Sequence, residues 1–364
     1  MGASLQSVQV YPIFRYLMPR TAIVTWDFDP PKGGLGRAMQ SLSAALFELG
    51  FGGNVLQSHN QWGGHVLFSL RLIVSLQRFI DEKKIDILLV PTGPGGLFLF
   101  RKPKRCKVIG ISYHTYAQQY RAVPGQTWKR CFMPLERRTF NLCDSVFCYA
   151  ADTKKHLCDD YNIDASSVRL LTQLFDGIGW SEQKQRERDP NLCLCVARLE
   201  KRKGVEVLLK AWPKVTAQYP AAKLLLVGDG IQRKKIDAMI ATLTNVRRLS
   251  AASLDDLRNH SATASIAICP SYLEGFGLAA AEAQAAGSAV VASSVDGLRN
   301  LIDHEKNGLL AHADDPVDLA SAILRLLGDV RLRAFLSENA VKDIQERLSP
   351  ERAKRELQEA LLAV

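Results

Sequence analysis

Short aliphatic, β-branched runs that end in glycine-bearing loops and pass into amphipathic helices recur along this chain, and that order admits few folds. Thr21-Ala-Ile-Val-Thr-Trp26 reads as a strand and Pro30-Pro-Lys-Gly-Gly-Leu-Gly36 as a loop. Leu35, Met39, Leu42, Leu46 and Leu49 then recur at spacings of three and four, one face of a helix closed by Gly50. The pattern restarts after Asp176-Gly-Ile-Gly-Trp180 and the polar run Ser181 to Pro190, whose composition predicts a linker. Strands are expected at Leu192 to Ala197, Lys223 to Val227, Ser265 to Cys269 and Ala289 to Ala292. Asp315-Pro316 is a helix start, and a last helix is expected from Pro350 to Leu362. At 364 residues this predicts two parallel α/β domains rather than one.

The composition, 47% apolar and 23% charged, is that of a globular chain able to bury two cores. The longest apolar stretch, Ile87 to Phe100, is broken by Pro91, Gly93, Pro94, Gly95 and Gly96 and is too short to span a bilayer. Residues 1–17 lack the order of a secretory signal, and Gln6 breaks a myristoylation pattern, so a cytoplasmic location is expected. Those residues read as an extra arm or a start-site artefact. The eight cysteines are scattered, and the one close pair, Cys193 and Cys195, falls on one face of a strand. With no second cluster, core thiols are expected and no metal site.

The net charge of +10 is concentrated between Arg101 and Arg138, where ten Lys and Arg residues face the single acid Glu136. Tyr113, Tyr116, Tyr120, Trp128 and Phe132 are interleaved with them. An anionic membrane surface or a solvated basic face fits residues 101–138 better than nucleic acid does.

Three constellations carry chemistry. In the loop Pro30 to Gly36, glycines before a helix start let backbone N–H groups approach a phosphate, although a tight turn explains the same residues. The loop matches neither the Rossmann dinucleotide glycine pattern nor a P-loop. In Val196-Ala-Arg-Leu-Glu-Lys-Arg-Lys-Gly204, Arg198 and Lys203 flank a strand exit, where two cations suit a diphosphate; taken singly, each reads as surface charge. The third, Pro270-Ser-Tyr-Leu-Glu-Gly-Phe-Gly-Leu-Ala-Ala-Ala-Glu-Ala-Gln-Ala-Ala-Gly287, is a strand end, a glycine turn and an alanine-rich helix. Glu282 stands alone in that helix and needs a partner, either a ligand hydroxyl or a core salt bridge. A helix beginning near Glu274 would separate the backbones of Glu274 and Glu282 by about 12 Å. That disfavours a glycosidase pair, whose carboxyl groups stand roughly 5 to 9.5 Å apart, and suits two grips on one elongated ligand.

Together these elements resemble the retaining GT-B glycosyltransferases of family 4. The resemblance rests on Glu274-x7-Glu282, Gly275-Phe276-Gly277, Arg198 with Lys203-Gly204, Leu226-Val-Gly-Asp-Gly230 and Asn307-Gly-Leu309, in the family's order. Gly33-Gly34 and a strand-terminal His114 extend it to the N-terminal half. It implies two Rossmann-like domains facing each other across a cleft: residues 1–176 on the acceptor side with the helix 350–364 packing back on them, a linker 177–190, and a nucleotide-sugar-binding domain 191–349. It further implies that Glu282 binds the ribose hydroxyls, Glu274 contacts the donor sugar, and Arg198 and Lys203 neutralise the departing diphosphate. Gly275, Phe276, Gly277 and Leu278 would line the donor, Gly33 and Gly34 would close over its phosphates, and His114 would lie beside its sugar. The chain departs from the family where Leu174 to Trp180 replaces a Pro-Asn-Gly stretch and where Asp296 interrupts a Gly-Gly segment, both at acceptor or sugar contacts.

The implied activity is hexosyl transfer with retention, by front-side attack and without a metal or prosthetic group. The donor would be a UDP- or GDP-sugar and the acceptor a glycan or a lipid-linked molecule of the cell envelope. A GT-B-shaped sugar-nucleotide epimerase and a non-catalytic sugar-nucleotide-binding protein are the alternatives.

Overall fold

The computed structural model describes residues 18–29, 31, 33–58, 64–182 and 187–364. Residues 1–17, Pro30 and Lys32 of the first loop, and 183–186 of the polar run lie outside the described residues. The first lobe contains β1 (Thr21–Thr25), β2 (Gly52–Gln57), β3 (Ile87–Thr92), β4 (Lys107–Ser112), β5 (Ser145–Cys148) and β6 (Val168–Leu170). The second contains β7 (Asp189–Val196), β8 (Lys223–Val227), β9 (Val246–Leu249), β10 (Ala264–Cys269), β11 (Ala289–Ser293) and β12 (Leu309–Ala311). Each set forms one parallel sheet, in the orders β2-β1-β3-β4-β5-β6 and β12-β11-β10-β7-β8-β9. The second order is the Rossmann arrangement, and the first is the other common doubly wound one.

Strand order reverses between β1 and β3 in one sheet and between β7 and β10 in the other. Ligands of such sheets bind outside the carboxyl ends of the strands at these reversals. Three of the loops that leave them carry the glycines and charges singled out above: Gly33 and Gly34 follow β1, Arg198 and Lys203 follow β7, and Glu274 to Gly277 follow β10.

Both faces of each sheet are covered, so the strands read as continuous apolar runs rather than alternating ones. In β1, Ile23 enters one core with Met39, Leu42 and Leu46 of the helix Gly34–Glu48. Its neighbours Ala22 and Val24 point to the opposite core, under Leu72, Leu76 and Ile80 of the helix Gly64–Lys83. Cys193 and Cys195 share one face of β7 and the core beneath Trp212 and Leu208. Both are free thiols whose burial pushes their pKa up to about 12, which makes them inert packing groups.

The helix Val330–Arg347 packs on the second lobe through Leu336, Ala340 and Ile344. The last helix, Pro350–Leu362, crosses to the first lobe, where Leu357, Ala360 and Leu361 join the core of Ile23 and Leu89. Glu356 accepts the Thr172 N–H at 2.7 Å, and Lys354 pairs with Glu48.

Composition overstated the linker. Ile178–Ser181 is a helical turn that buries Trp180, and β7 already begins at Asp189, whose carboxylate accepts from Asn191 N–H and pairs with Lys223. These polar residues open a central strand, satisfy one another locally and so resemble a loop.

Candidate active site

Two loops of the second lobe are locked together at the β7/β10 reversal. Gly204 has φ +62°, and a Cβ there would lie 1.8 Å from the Pro270 carbonyl oxygen, so only glycine lets the β7 loop pass so close to the β10 loop. Tyr272 N–H donates to the Arg202 carbonyl at 2.8 Å, and the Arg202 guanidinium donates to the Leu273 carbonyl at 3.0 Å. This clamp puts Lys203 Nζ 2.6 Å from Glu274 Oε1 and Arg202 3.3 Å from Glu274 Oε2, with Ser271 Oγ donating at 2.8 Å. Glu200 accepts from Arg202 at 2.9 Å and from Arg198 at 3.2 Å. Three cations thus meet two carboxylates, and the cluster keeps a net positive charge. Burial acts to raise the Glu274 carboxyl, but Lys203 and Arg202 outweigh it and hold the pKa at about 2. Glu274 is a fixed anion over the whole physiological range.

The Glu274–Glu282 segment differs from the single helix assumed for the 12 Å estimate. Gly277, at φ +95°, is the N-cap, and the helix spans only Leu278–Ala285, so Glu274 sits in the preceding turn. Phe276 and Leu278 lean on the alanine-rich core of Ala280, Ala281 and Ala283. Glu282 is 4% exposed, and its partner is a residue of the other lobe: Arg37 Nη1 lies 2.5 Å from Glu282 Oε1. Of the two partners the sequence allowed, the salt bridge is present, and it crosses the cleft rather than lying within one core. Burial raises the Glu282 pKa despite Arg37, Lys203 and Arg258 nearby.

Further contacts bring the lobes together. A Cβ on Gly33 would touch the Arg198 side chain at 3.4 Å, and one on Gly275 would lie 2.6 Å from the Tyr113 carbonyl. Gln118 donates to Asp296 at 3.2 Å, and Arg299 reaches Asp152 at 3.6 Å, so the acid that departs from the family's glycine pair serves the interlobe surface. His114 follows β4 and is surrounded by the charges of Arg202, Glu274, Glu200 and Lys203. Both of its ring nitrogens are shielded from solvent without a hydrogen-bond partner. Burial, reinforced by Arg202, drops its pKa to about 3, so it is a neutral imidazole.

Gly33 is the N-cap of the helix Gly34–Glu48 and has no side chain to cap it, while Gly34 is exposed. Asp27, buried at 5%, takes one of the helix's first amides by accepting from Gly36 N–H at 3.2 Å. Arg198 remains half exposed.

Arg37, Arg202 and Asp27 were not singled out from the sequence. Arg202 hides in the run Lys201-Arg-Lys203, a single 3-10 turn from which Lys201 turns to Glu206 while Arg202 and Lys203 both reach Glu274. Arg37 carried a faint signal, since a cation within a turn or so of a helix start opposes the helix dipole.

The basic segment is less unopposed than its sequence suggests. Lys102 pairs with Asp144 at 2.7 Å and Arg121 with Asp160 at 2.7 Å, acids from outside residues 101–138. Glu136, the segment's own acid, is buried against Tyr161 and Tyr116. Trp128 remains 55% exposed with Lys129 Nζ over its ring at 4.2 Å. No helix among the described residues is long and apolar enough to cross a membrane.

Two doubly wound lobes with charged loops meeting across a cleft define the GT-B class of sugar-nucleotide proteins. Sequence models agree: glycosyl transferases group 1 matches residues 179–343 and glycosyltransferase family 4 matches residues 33–172. The chain belongs to this glycosyltransferase family. An uncharacterized glycosyltransferase of Methanocaldococcus jannaschii is 32% identical over 227 residues, 58% of this chain and 57% of its own length. The chain spans about half the length of the curated relatives it matches. Among solved structures, the sucrose-phosphate synthase of Thermosynechococcus elongatus aligns with TM-score 0.80 at 20% identity, covering 95% of this chain and 98% of that one. Anabaena Alr3699/HepE, solved with UDP and glucose, aligns with TM-score 0.71 at 18% identity, covering 95% and 100%. At such identities these two likenesses speak for the fold.

Proposed function

We propose that the protein transfers a hexosyl group, with retention of anomeric configuration, from a nucleoside diphosphate donor to a glycan or lipid-linked acceptor. The observation that supports this most is the net positive cluster of Arg198, Arg202 and Lys203 with Glu200 and Glu274, set against the Gly33-Gly34 helix start of the opposite lobe. In glycosyl transfer the bond from the anomeric carbon to the diphosphate oxygen breaks, and the electron pair leaves with the diphosphate. Arg198, Lys203 and the Gly33-Gly34 amides would meet that charge with groups already oriented for it. The acceptor oxygen attacks the same face, and its proton passes to a donor phosphate oxygen. Glu274 would orient the sugar as an anion, Glu282 would hold the ribose diol, and neutral His114 would offer the sugar a hydrogen bond without adding charge. Gly275, Phe276, Gly277 and Leu278 would line the donor.

The UDP bound in the Anabaena relative's structure favours a uridine donor over a guanosine one for the first trial. A thermal-shift screen across UDP- and GDP-sugars should find one that raises the melting temperature, because a ligand of the folded state alone stabilises it. Glu282→Ala should weaken that shift, and Lys203→Ala should lower turnover more than affinity. Unchanged binding and transfer in both variants would refute these roles. Conversion of donor alone to an isomerised sugar would instead indicate an epimerase.

A lipid-linked acceptor at the inner face of a membrane is favoured by exposed Trp128 and Arg130 flanking half-buried Lys129, with Leu70 and Val74 also exposed on the first lobe. The protein should co-sediment with anionic vesicles at low salt and be released by salt. No binding at low salt would leave a soluble glycan as the acceptor.

A further inference from the structure

We infer that Arg37 is a donor-specificity residue, which makes the site select diphosphorylated nucleosides over nucleosides by exchanging Glu282 for the donor's diphosphate. The inference rests on the assignment of Glu282 to the ribose diol made above.

Arg37 belongs to the first lobe and Glu282 to the second, and their 2.5 Å contact bridges the cleft. The pair is unequal: the Glu282 side chain is 5% exposed, whereas Arg37 is 31% exposed and stands at the cleft edge. Arg37 N–H donates to the Gly33 carbonyl at 3.1 Å, one helical turn from the Gly33-Gly34 pair. The Arg198 side chain lies against Gly33. Arg37, the Gly33-Gly34 backbone and Arg198 therefore border the same gap.

A ribose diol that takes Glu282 must share or displace Arg37. Opening this half-buried ion pair leaves Arg37 without a partner, which costs free energy unless the ligand supplies one. A bare nucleoside brings hydroxyls for Glu282 and nothing for Arg37. A nucleoside diphosphate brings both, because its phosphates arrive where Arg198 and the Gly33 amides already sit, and a guanidinium binds phosphate oxygens bidentately. The exchange keeps every charge paired only for the diphosphate. Burial pushes the Glu282 carboxyl up, and Arg37 acts against that shift together with Lys203 and Arg258.

The test is a set of equilibrium affinities for uridine, UDP, guanosine and GDP on the full chain and four variants. In Arg37→Ala, the preferred nucleoside diphosphate should bind roughly ten- to a hundredfold more weakly, the range for one hydrogen bond to a charged group. The matching nucleoside should bind as well as to the wild type or better, so the ratio of the two affinities collapses. Arg198→Ala should weaken the diphosphate without strengthening the nucleoside, since Arg198 does not hold Glu282. Glu282→Gln should weaken both ligands. An unchanged ratio in Arg37→Ala, with both other variants impaired, would overturn the inference and leave the ribose assignment standing. Unchanged binding in Glu282→Gln would overturn the ribose assignment and the inference with it. Arg37→Gln, which keeps a hydrogen bond to Glu282, should fall between wild type and Arg37→Ala and serves in place of Arg37→Ala should that variant fold poorly.

Discussion

Replacing Glu274 with Gln tests the electrostatics of the site most directly, because it changes one atom type in a cluster whose partners are all known. Glu274 accepts from Lys203 at 2.6 Å, Ser271 at 2.8 Å and Arg202 at 3.3 Å, with 12% of its side chain exposed. Glutamine keeps one acceptor oxygen but turns an amide donor toward a cation, and three cations then share the single carboxylate of Glu200. Removing one partner of a buried ion pair typically destabilises by about 3–5 kcal/mol. Glu200 still balances Arg202, so the lower end, about 3 kcal/mol, is expected. For a lobe of this size that corresponds to a fall in melting temperature of roughly 6–12 °C.

Calorimetry at neutral pH should show that fall in Glu274→Gln and in Lys203→Met. The double variant should lose clearly less than the sum of the two, with a coupling on the order of 1–3 kcal/mol. The pH dependence supplies an independent check. The folded pKa of about 2 lies below the ordinary value of 4.5, so the contribution of Glu274 is present above pH 4.5 and is lost as pH falls from 4.5 toward 2. The wild type should lose stability in that window faster than Glu274→Gln does. A variant melting within about 1 °C of the wild type, with the same acid limb, would refute the reading of Glu274 as a buried, doubly paired anion.

Gly275→Ala should leave both lobes folded yet hold them apart, because its Cβ would lie 2.6 Å from the Tyr113 carbonyl of the opposite lobe. Small-angle scattering should give a larger radius of gyration and transfer should fall; an unchanged radius with full activity would mean that the approach is not needed. His114 and Glu136 should show opposite pH slopes. His114 is depressed from 6.5 to about 3, so its contribution is present above pH 6.5 and is lost as pH falls through that range, while Glu136, raised from 4.5 to about 8 by burial, contributes below 4.5 and loses it as pH rises toward 8. Between pH 4.5 and 6.5 the two slopes oppose each other. His114→Gln should therefore lose stability as pH rises there relative to the wild type, and Glu136→Gln as pH falls, by up to about 1.4 kcal/mol per pH unit in urea unfolding. Parallel profiles for all three proteins would contradict both burial arguments.

What could be read from the sequence divides along a physical line. The strands and the first helix were legible because a sheet covered on both faces demands continuous apolar runs, and a helix packed on it demands apolar residues at three- and four-residue spacing. Gly204 and Gly277 were legible for a related reason: a left-handed φ or a close backbone approach leaves few residue types able to serve. Arg37 and Glu282 stand 245 residues apart, and no local period relates them. Glu282 announced only that it needed a partner, and Arg37 only that it sat where a helix dipole disfavours a cation. Arg202 stands between two lysines in an all-basic run, yet the turn it occupies sends it with Lys203 inward to Glu274, and on to Glu200, while Lys201 turns to Glu206. A site assembled from two lobes writes half of each contact into either sequence segment, so its members show up as residues that break a local rule without a local compensation. By that criterion the residues most worth testing in this cleft are the ones whose placement is locally unfavourable, and Arg37 meets it more clearly than Arg198, an ordinary cation at a strand exit.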